Sequence, residues 1–246
     1  MKYYVISDMH AYYTLTNNAL KRAGFFSEKD PHKLIVLGDA FDRGPEPREM
    51  QRFMQELLEN DQAILVRGNH DDLFYELATV DQGLRYSHHV HNGTYETALQ
   101  LTGFDAFSAE IRHKAFAESM RETPFYKAIL PSMKDYYETE RFIFVHGWLP
   151  MIDKGAFVEN PDWRSASAAD WKKARWFNGM DLAPFKTEHK TVVCGHWHAS
   201  YGHNLAEGSP EFGPGSVFTP YYGEGIIAID GCTVVTGIVN VLVLNE

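Results

Sequence analysis

The chain has 246 residues, 44% apolar and 23% charged, which suffices for one large domain with a sizeable core. A formal net charge of −10 argues against broad attraction to a nucleic-acid polymer, though not against a nucleotide or a phosphoprotein. No apolar run reaches the length of a membrane span, and two cysteines, Cys194 and Cys232, are too few for a disulfide framework.

Tyr3 to Ile6 reads as a buried strand, and the polar cluster Asp8-Met9-His10 follows it at once. That leaves no room for a cleaved signal, so the cytoplasm is the expected location. A helix is expected from Ala11 to Ala23, ended by Gly24. Leu34 to Leu37 forms a second strand and runs into Gly38-Asp39-Ala40-Phe41-Asp42-Arg43-Gly44. Pro45 and Pro47 break the chain before a helix from Arg48 to Leu58, with Met50, Phe53, Met54, Leu57 and Leu58 on its apolar face. Ala63 to Val66 is a third strand and runs into Gly68-Asn69-His70-Asp71. Strands alternating with helices imply a parallel sheet with right-handed crossovers.

From about 73 to 122 the pattern turns helical, and we read an inserted helical cap within one domain spanning 1–246. Strand character returns at Phe125 to Leu130 and at Arg141 to Val145, the latter ending in His146-Gly147. A Trp-rich helix is expected over Ala168 to Phe177. Thr191 to Cys194 leads into Gly195-His196-Trp197-His198, and Ile226 to Asp230 and Thr233 to Leu244 suggest closing strands of a second sheet. Gly208 to Pro220 reads as an ordered surface loop. Both cysteines sit in apolar runs and read as buried thiols.

Five polar clusters therefore fall at strand ends, where open parallel sheets present their ligands. One Asp-X-His arises by chance in many proteins; five ligand-type clusters in equivalent positions need a common cause. Asp8 and His10 share one face if the first strand continues, so they suit one ion. Asp39 has two oxygens and suits a bridge between two ions. Asn69 offers an amide oxygen, and His146 and His196 offer imidazole nitrogens. This mixed set without thiolate suits manganese first, with iron or zinc as alternatives. Two such ions, about 3.5–4 Å apart, clamp the attacking and leaving oxygens of an in-line displacement and acidify a bridging water. His70, paired with Asp42, is the expected proton donor to the leaving group, and Arg43 the fork for phosphate oxygens. His88, His89 and His91 lack a carboxylate at ligand spacing. Trp163, Trp171 and Trp176 read as helix packing rather than base stacking.

These clusters resemble the calcineurin-like metallophosphoesterases, and Gly38-Asp39-X-X-Asp42-Arg43-Gly44 is similar to the phosphoprotein phosphatase branch. The resemblance runs from residue 5 to about 244. It implies an α/β fold, a four-layer αββα sandwich of two mixed sheets between helices. It implies Asp8, His10 and Asp39 on one metal, and Asp39, Asn69, His146 and His196 on the other. It further implies Asp42 and His70 as the acid pair and Arg43 on phosphate. A second phosphate-binding arginine is expected at Arg175, with Arg164 the alternative. Asn92-Gly93-Thr94 resembles a cap segment of bacterial members, so Asn92 is a candidate substrate contact. His198 would complete the first metal site, as the second His of Gly-His-X-His does in the wider superfamily. Asp71 and Trp148 depart from the eukaryotic pattern. The expected substrates are phosphoserine or phosphothreonine in a protein, or alternatively a dinucleoside polyphosphate cleaved symmetrically. A catalytically silent metal-binding scaffold is the rival of another class, and the oligomeric state is open.

Overall fold

The structure is a computed structural model describing residues 1–79, 86–153 and 157–246. The first sheet has the order β11-β1-β2-β3. Its strands are β1 (Lys2–Ile6), β2 (His32–Leu37), β3 (Ala63–Val66) and β11 (Leu242–Asn245). β1 to β3 run parallel and β11 runs antiparallel beside β1. The second sheet has the order β4-β5-β8-β10-β9. It is built from β4 (Tyr137–Glu138), β5 (Phe142–Phe144), β8 (Thr191–His198), β9 (Tyr221–Gly223) and β10 (Ile226–Asp230). Its three central strands are parallel and both edges antiparallel, so this sheet is mixed as well. A separate two-stranded antiparallel sheet pairs β6 (Met151–Asp153) with β7 (Phe157–Glu159).

Strand alternation explains the layering, because successive side chains point to opposite faces. Tyr3, Val5, Ile35, Leu37 and Val66 of the first sheet pack against Phe144, Val193, Ile227 and Ile229 of the second. Their neighbours Tyr4, Ile6, Leu34, Val36 and Leu65 face the opposite way, onto helices. In the second sheet Val192, Cys194, Ile226 and Ala228 likewise turn outward, to Trp148, Trp163 and Trp171. Two sheets face to face, each with a helical outer face, make the four layers.

The helices over the first sheet include α1 (Tyr13–Ala23) and α2 (Pro47–Glu59). Pro47 sits where a helix has no N–H to satisfy, and Met50, Phe53, Met54 and Leu57 form the buried face. The stretch read as a cap contains α3 (Asn69–Thr79), α4 (Tyr86–His91), α5 (Thr94–Thr102), α6 (Ala106–Ile111) and α7 (His113–Glu122). Its apolar residues Phe74, Leu77, Ala98, Leu99, Phe116 and Met120 join the same cluster as Ile6 and Val36. Ala168–Ala174 covers the second sheet and begins with a reciprocal Ser167–Asp170 cap. Among the described residues no helix is long and apolar enough to cross a membrane.

Three local expectations are corrected. Phe125–Ile129 is a π-helical turn, not a strand, with Phe125 and Ile129 one turn apart on the buried side. A short apolar run carries either period, and here the preceding Pro124 already has helical backbone angles. Thr233–Thr236 is a helical turn, and only Leu242–Asn245 is a strand, which joins the first sheet rather than the second. Cys232 is only partly buried, whereas Cys194 is buried; both are free thiols.

Candidate metal centre

The clusters after β1, β2, β3 and β5 and the one that ends β8 meet at one end of the two sheets. Five of the expected residues, Asp8, Asp39, Asp42, Asn69 and His146, are at most 2% exposed. The first two loops hold each other: the backbone N–H groups of His10 and Ala11 donate to Asp39 and Ala40 carbonyls at 3.0 and 2.8 Å. β1 stops at Ile6, so Asp8 and His10 do not continue a strand. Both take left-handed backbone angles, φ 52° and 46°, as do Asp39, Asp42, Arg43, His196 and Cys232. Each such non-glycine residue costs on the order of 1 kcal/mol, and the surrounding hydrogen bonds hold them there.

Asp39 is the hub. Its Oδ1 accepts the His70 backbone N–H at 3.0 Å. Its Oδ2 lies 3.4 Å from His146 Nε2 and 4.0 Å from His70 Nε2. Asn69 Oδ1 accepts from His146 Nε2 at 2.7 Å, while His146 Nδ1 donates to the Leu37 carbonyl at 2.6 Å. His10 Nδ1 donates to the Phe41 carbonyl at 3.0 Å, leaving Nε2 as its ligand nitrogen. Asp8 Oδ2 accepts the His196 backbone N–H at 2.9 Å, which ties the first cluster to the last. Two groups of donor atoms lie within 4.8 Å of one another: His10, Asp39 and His70, and Asp39, His146 and His196. Asp39 belongs to both.

The charge states fit a cation site. Burial opposes ionisation of Asp39, yet His146 and His70 hold its carboxyl well below the usual range. Burial also opposes protonation of His146, but Asp39 carries it up to about 10. His10 and His196 are driven down to about 3, first by burial and then by His70 and His146 respectively. Neutral imidazole is the ligand form, and a cation beside Asp39 would replace the proton on His146. Burial pushes Asp8 up to about 6 and Asp71 up to about 7, each with help from Asp39.

His70 Nδ1 donates to Asp42 Oδ2 at 2.8 Å, and Asp39 and Asp42 raise His70 against the effect of its burial. Arg43 is exposed, and its Nη1 reaches His10 Nε2 at 3.3 Å. A cavity of ≈ 550 Å³ opens over these groups, lined also by His91, Trp176, Trp197 and Asp230.

Other expected residues stand elsewhere. Arg175 is 6% exposed, donates to Asp72 at 2.8 Å and to Asp135, and does not line the cavity. Arg164 is forked onto Glu138 and reaches Glu188. Asn92 turns its amide to the His88 carbonyl at 2.9 Å and does not line the cavity. His198 lines it, but its Nε2 donates to Glu211 at 2.6 Å and it belongs to neither donor group. Trp163 and Trp171 pack as read, whereas Trp176 is 43% exposed on the cavity wall. His91, Trp197 and Asp230 also line the cavity, with no role expected of them. Asp230 carries the same signal as the other clusters, a carboxylate ending an apolar strand, and Trp197 stands inside the last cluster; His91 carries no such signal.

The family model of the calcineurin-like phosphoesterases matches residues 1–200. A symmetrical bis(5'-nucleosyl)-tetraphosphatase of Nitrosospira multiformis is 39% identical over 71 residues, 29% of this chain and 24% of that protein. The chain thus spans about a quarter of the curated relative it matches. The cold-active protein-tyrosine phosphatase of a psychrophilic Shewanella superposes with a TM-score of 0.57 at 16% identity, covering 100% of this chain and 75% of that one. A Saccharomyces cerevisiae protein serine/threonine phosphatase gives 0.50 at 16% identity, over 94% and 67%. These two show the fold. With four-fifths of its length matched by the family model, the chain belongs to the calcineurin-like phosphoesterase family.

Proposed function

We propose that the chain is a metal-dependent phosphohydrolase acting on a phosphomonoester, with phosphoserine or phosphothreonine in a protein as the first substrate class. The observation that carries this is the convergence on Asp39 of imidazoles from four separate segments of the chain, at His10, His70, His146 and His196. The donor set is oxygen and nitrogen, buried, and holds neutral imidazoles beside an ionised carboxylate, which suits two divalent ions. Asp8, His10 and Asp39 would hold one; Asp39, Asn69, His146 and His196 the other. His198 would complete the first through the ring nitrogen that Glu211 does not engage. Bound ions would supply an activated water and offset charge on the phosphoryl oxygens.

The chain's own groups do the rest. Arg43 is positioned to receive phosphate oxygens at the mouth of the cavity. Asp42 fixes the proton on His70 Nδ1, so the proton given to the leaving oxygen is the one on Nε2. We take residues 73–122 as an insertion within one domain of 1–246; its His91 lines the cavity.

A second reading, symmetrical cleavage of a dinucleoside polyphosphate, is favoured by the 71-residue likeness and by two exposed indoles, Trp176 and Trp197, on the cavity wall. A flat base would stack there. Turnover of manganese-loaded protein on a phosphothreonine peptide and on diadenosine tetraphosphate decides between them. The first reading expects the higher kcat/KM on the peptide; the reverse preference, lost in Trp176→Ala, establishes the second. Hydrolysis of neither these nor p-nitrophenyl phosphate would refute the enzyme and leave a scaffold.

A further inference from the structure

The acid pair has a third member, Thr94, to which the sequence assigned no role. Thr94, at the start of α5, is fully buried, and its hydroxyl donates to Asp42 Oδ2 at 2.6 Å. That is the same oxygen that accepts His70 Nδ1–H. Asp42 Oδ1 is buried and has no hydrogen-bond partner among the described residues. The carboxylate is therefore held by two donors on one oxygen and by nothing on the other. Rotation about the terminal torsion of an Asp is soft, so a single hydrogen bond would leave the carboxylate plane poorly fixed. The hydroxyl supplies the second restraint.

The backbone carries Thr94 to this position. Gly93, immediately before it, has φ +82° and lies against the Arg43 main chain: a Cβ there would stand 2.6 Å from Arg43 N. No other residue fits so close an approach with that backbone. The corner between α4 and α5 thus rests on Arg43 while the next side chain reaches Asp42. Tyr95, Ala98 and Leu99 anchor α5 in the core over the first sheet. The restraint comes from a packed helix rather than from a free loop.

We infer that Thr94 is a positioning residue for leaving-group protonation, fixing the Asp42 carboxylate so that His70 Nε2 points into the cavity. This rests on the reading of His70 and Asp42 as the acid pair. Because Oδ2 accepts from both partners, its two lone pairs are filled, and the proton on Nδ1 stays there while Nε2 gives up its own. Atoms balance: the proton leaves His70 Nε2 for the leaving oxygen as the phosphorus–oxygen bond breaks, and water restores it.

The test is the dependence of kcat on leaving-group basicity. A good leaving group such as p-nitrophenolate needs little protonation; phenolate needs much more. Manganese-loaded native protein, Thr94→Val, Thr94→Ser and His70→Ala are compared on p-nitrophenyl phosphate and phenyl phosphate, with metal content measured for each. Thr94→Val should lose about tenfold more on phenyl than on p-nitrophenyl phosphate, with native metal content, in the direction of the larger His70→Ala effect. Thr94→Ser, which keeps the hydroxyl, should return to within about twofold of native on both. If Thr94→Val does not fold, Thr94→Ala provides the same comparison. Equal losses on both substrates in the Thr94 variant, with a selective loss in His70→Ala, would overturn the Thr94 assignment alone. Equal losses in His70→Ala would overturn the acid pair and Thr94 with it.

Discussion

Gly68 ends the loop after β3, and it has no side chain because Asp39 fills the space. A Cβ at this position would stand 2.1 Å from Asp39 Oδ1 and 2.6 Å from Asp39 N. Reaching an ordinary contact of 3.4 Å requires the carboxylate to give way by about 1.3 Å. It has little freedom to do so, since the same oxygen accepts the His70 N–H at 3.0 Å and Oδ2 lies 3.4 Å from His146 Nε2. Metal–oxygen bonds run about 2.0–2.2 Å and tolerate about 0.2 Å, so the shift exceeds the tolerance several-fold. Overpacking of this kind costs about 1–3 kcal/mol, or roughly 2–12 °C in the Tm of a chain this long. Gly68→Ala should therefore fold with a lowered Tm when stripped of metal, bind less than about one ion per chain, and lose turnover in proportion. Plasma mass spectrometry of the dialysed, manganese-loaded variant reads the ion content and calorimetry of the metal-free variant the Tm. A full metal complement with native turnover would refute the reasoning about Asp39.

Arg175→Ala should act on stability and not on substrate affinity: it strips a buried partner from Asp72, which keeps Arg67 at 2.8 Å, at a cost of about 3 kcal/mol. Denaturant melts should show that loss, with KM for p-nitrophenyl phosphate within about twofold of native; a tenfold rise in KM at unchanged stability would return Arg175 to the phosphate. Glu138 is held down to about 2 from its ordinary 4.5, first by its hydrogen bond to Arg164, with Lys190 adding to this against the effect of burial. The folded value lies below the unfolded one, so its stabilisation is complete above pH 4.5 and is lost as pH falls towards 2. After discount for solvent the term is about 1 kcal/mol, and Glu138→Gln should flatten stability over that window; an unchanged acid slope would contradict it.

Much of this centre was legible in the chain because its signal is local. An apolar run such as Leu34 to Leu37, stopped by Gly38-Asp39, identifies both a strand and the residue it presents. Layering followed from the same strands, since Ile35 and Leu37 go one way and Leu34 and Val36 the other. What stayed hidden depends on contacts across the sequence. Leu242–Asn245 pairs with Lys2–Val5 at the far end of the chain, and nothing in its composition names that partner. Arg175 follows a helix whose register turns its guanidinium to Asp72 and Asp135 rather than to the cavity. The run of non-glycine left-handed residues at Asp8, His10, Asp42 and Arg43 breaks a local preference that sequence reasoning applies everywhere. Thr94 stood in a segment of which only Asn92 was expected to act; its partner Asp42 lies 52 residues away in the chain.

The claim on which everything turns is that Asp39 is shared between two ions. Metal stoichiometry after manganese loading, measured side by side for the native chain and Asp39→Asn, tests it most directly. The account predicts two ions per native chain and the loss of both, or of all but a weakly held one, in the variant. Two ions retained by Asp39→Asn, or none bound by the native chain, would contradict it.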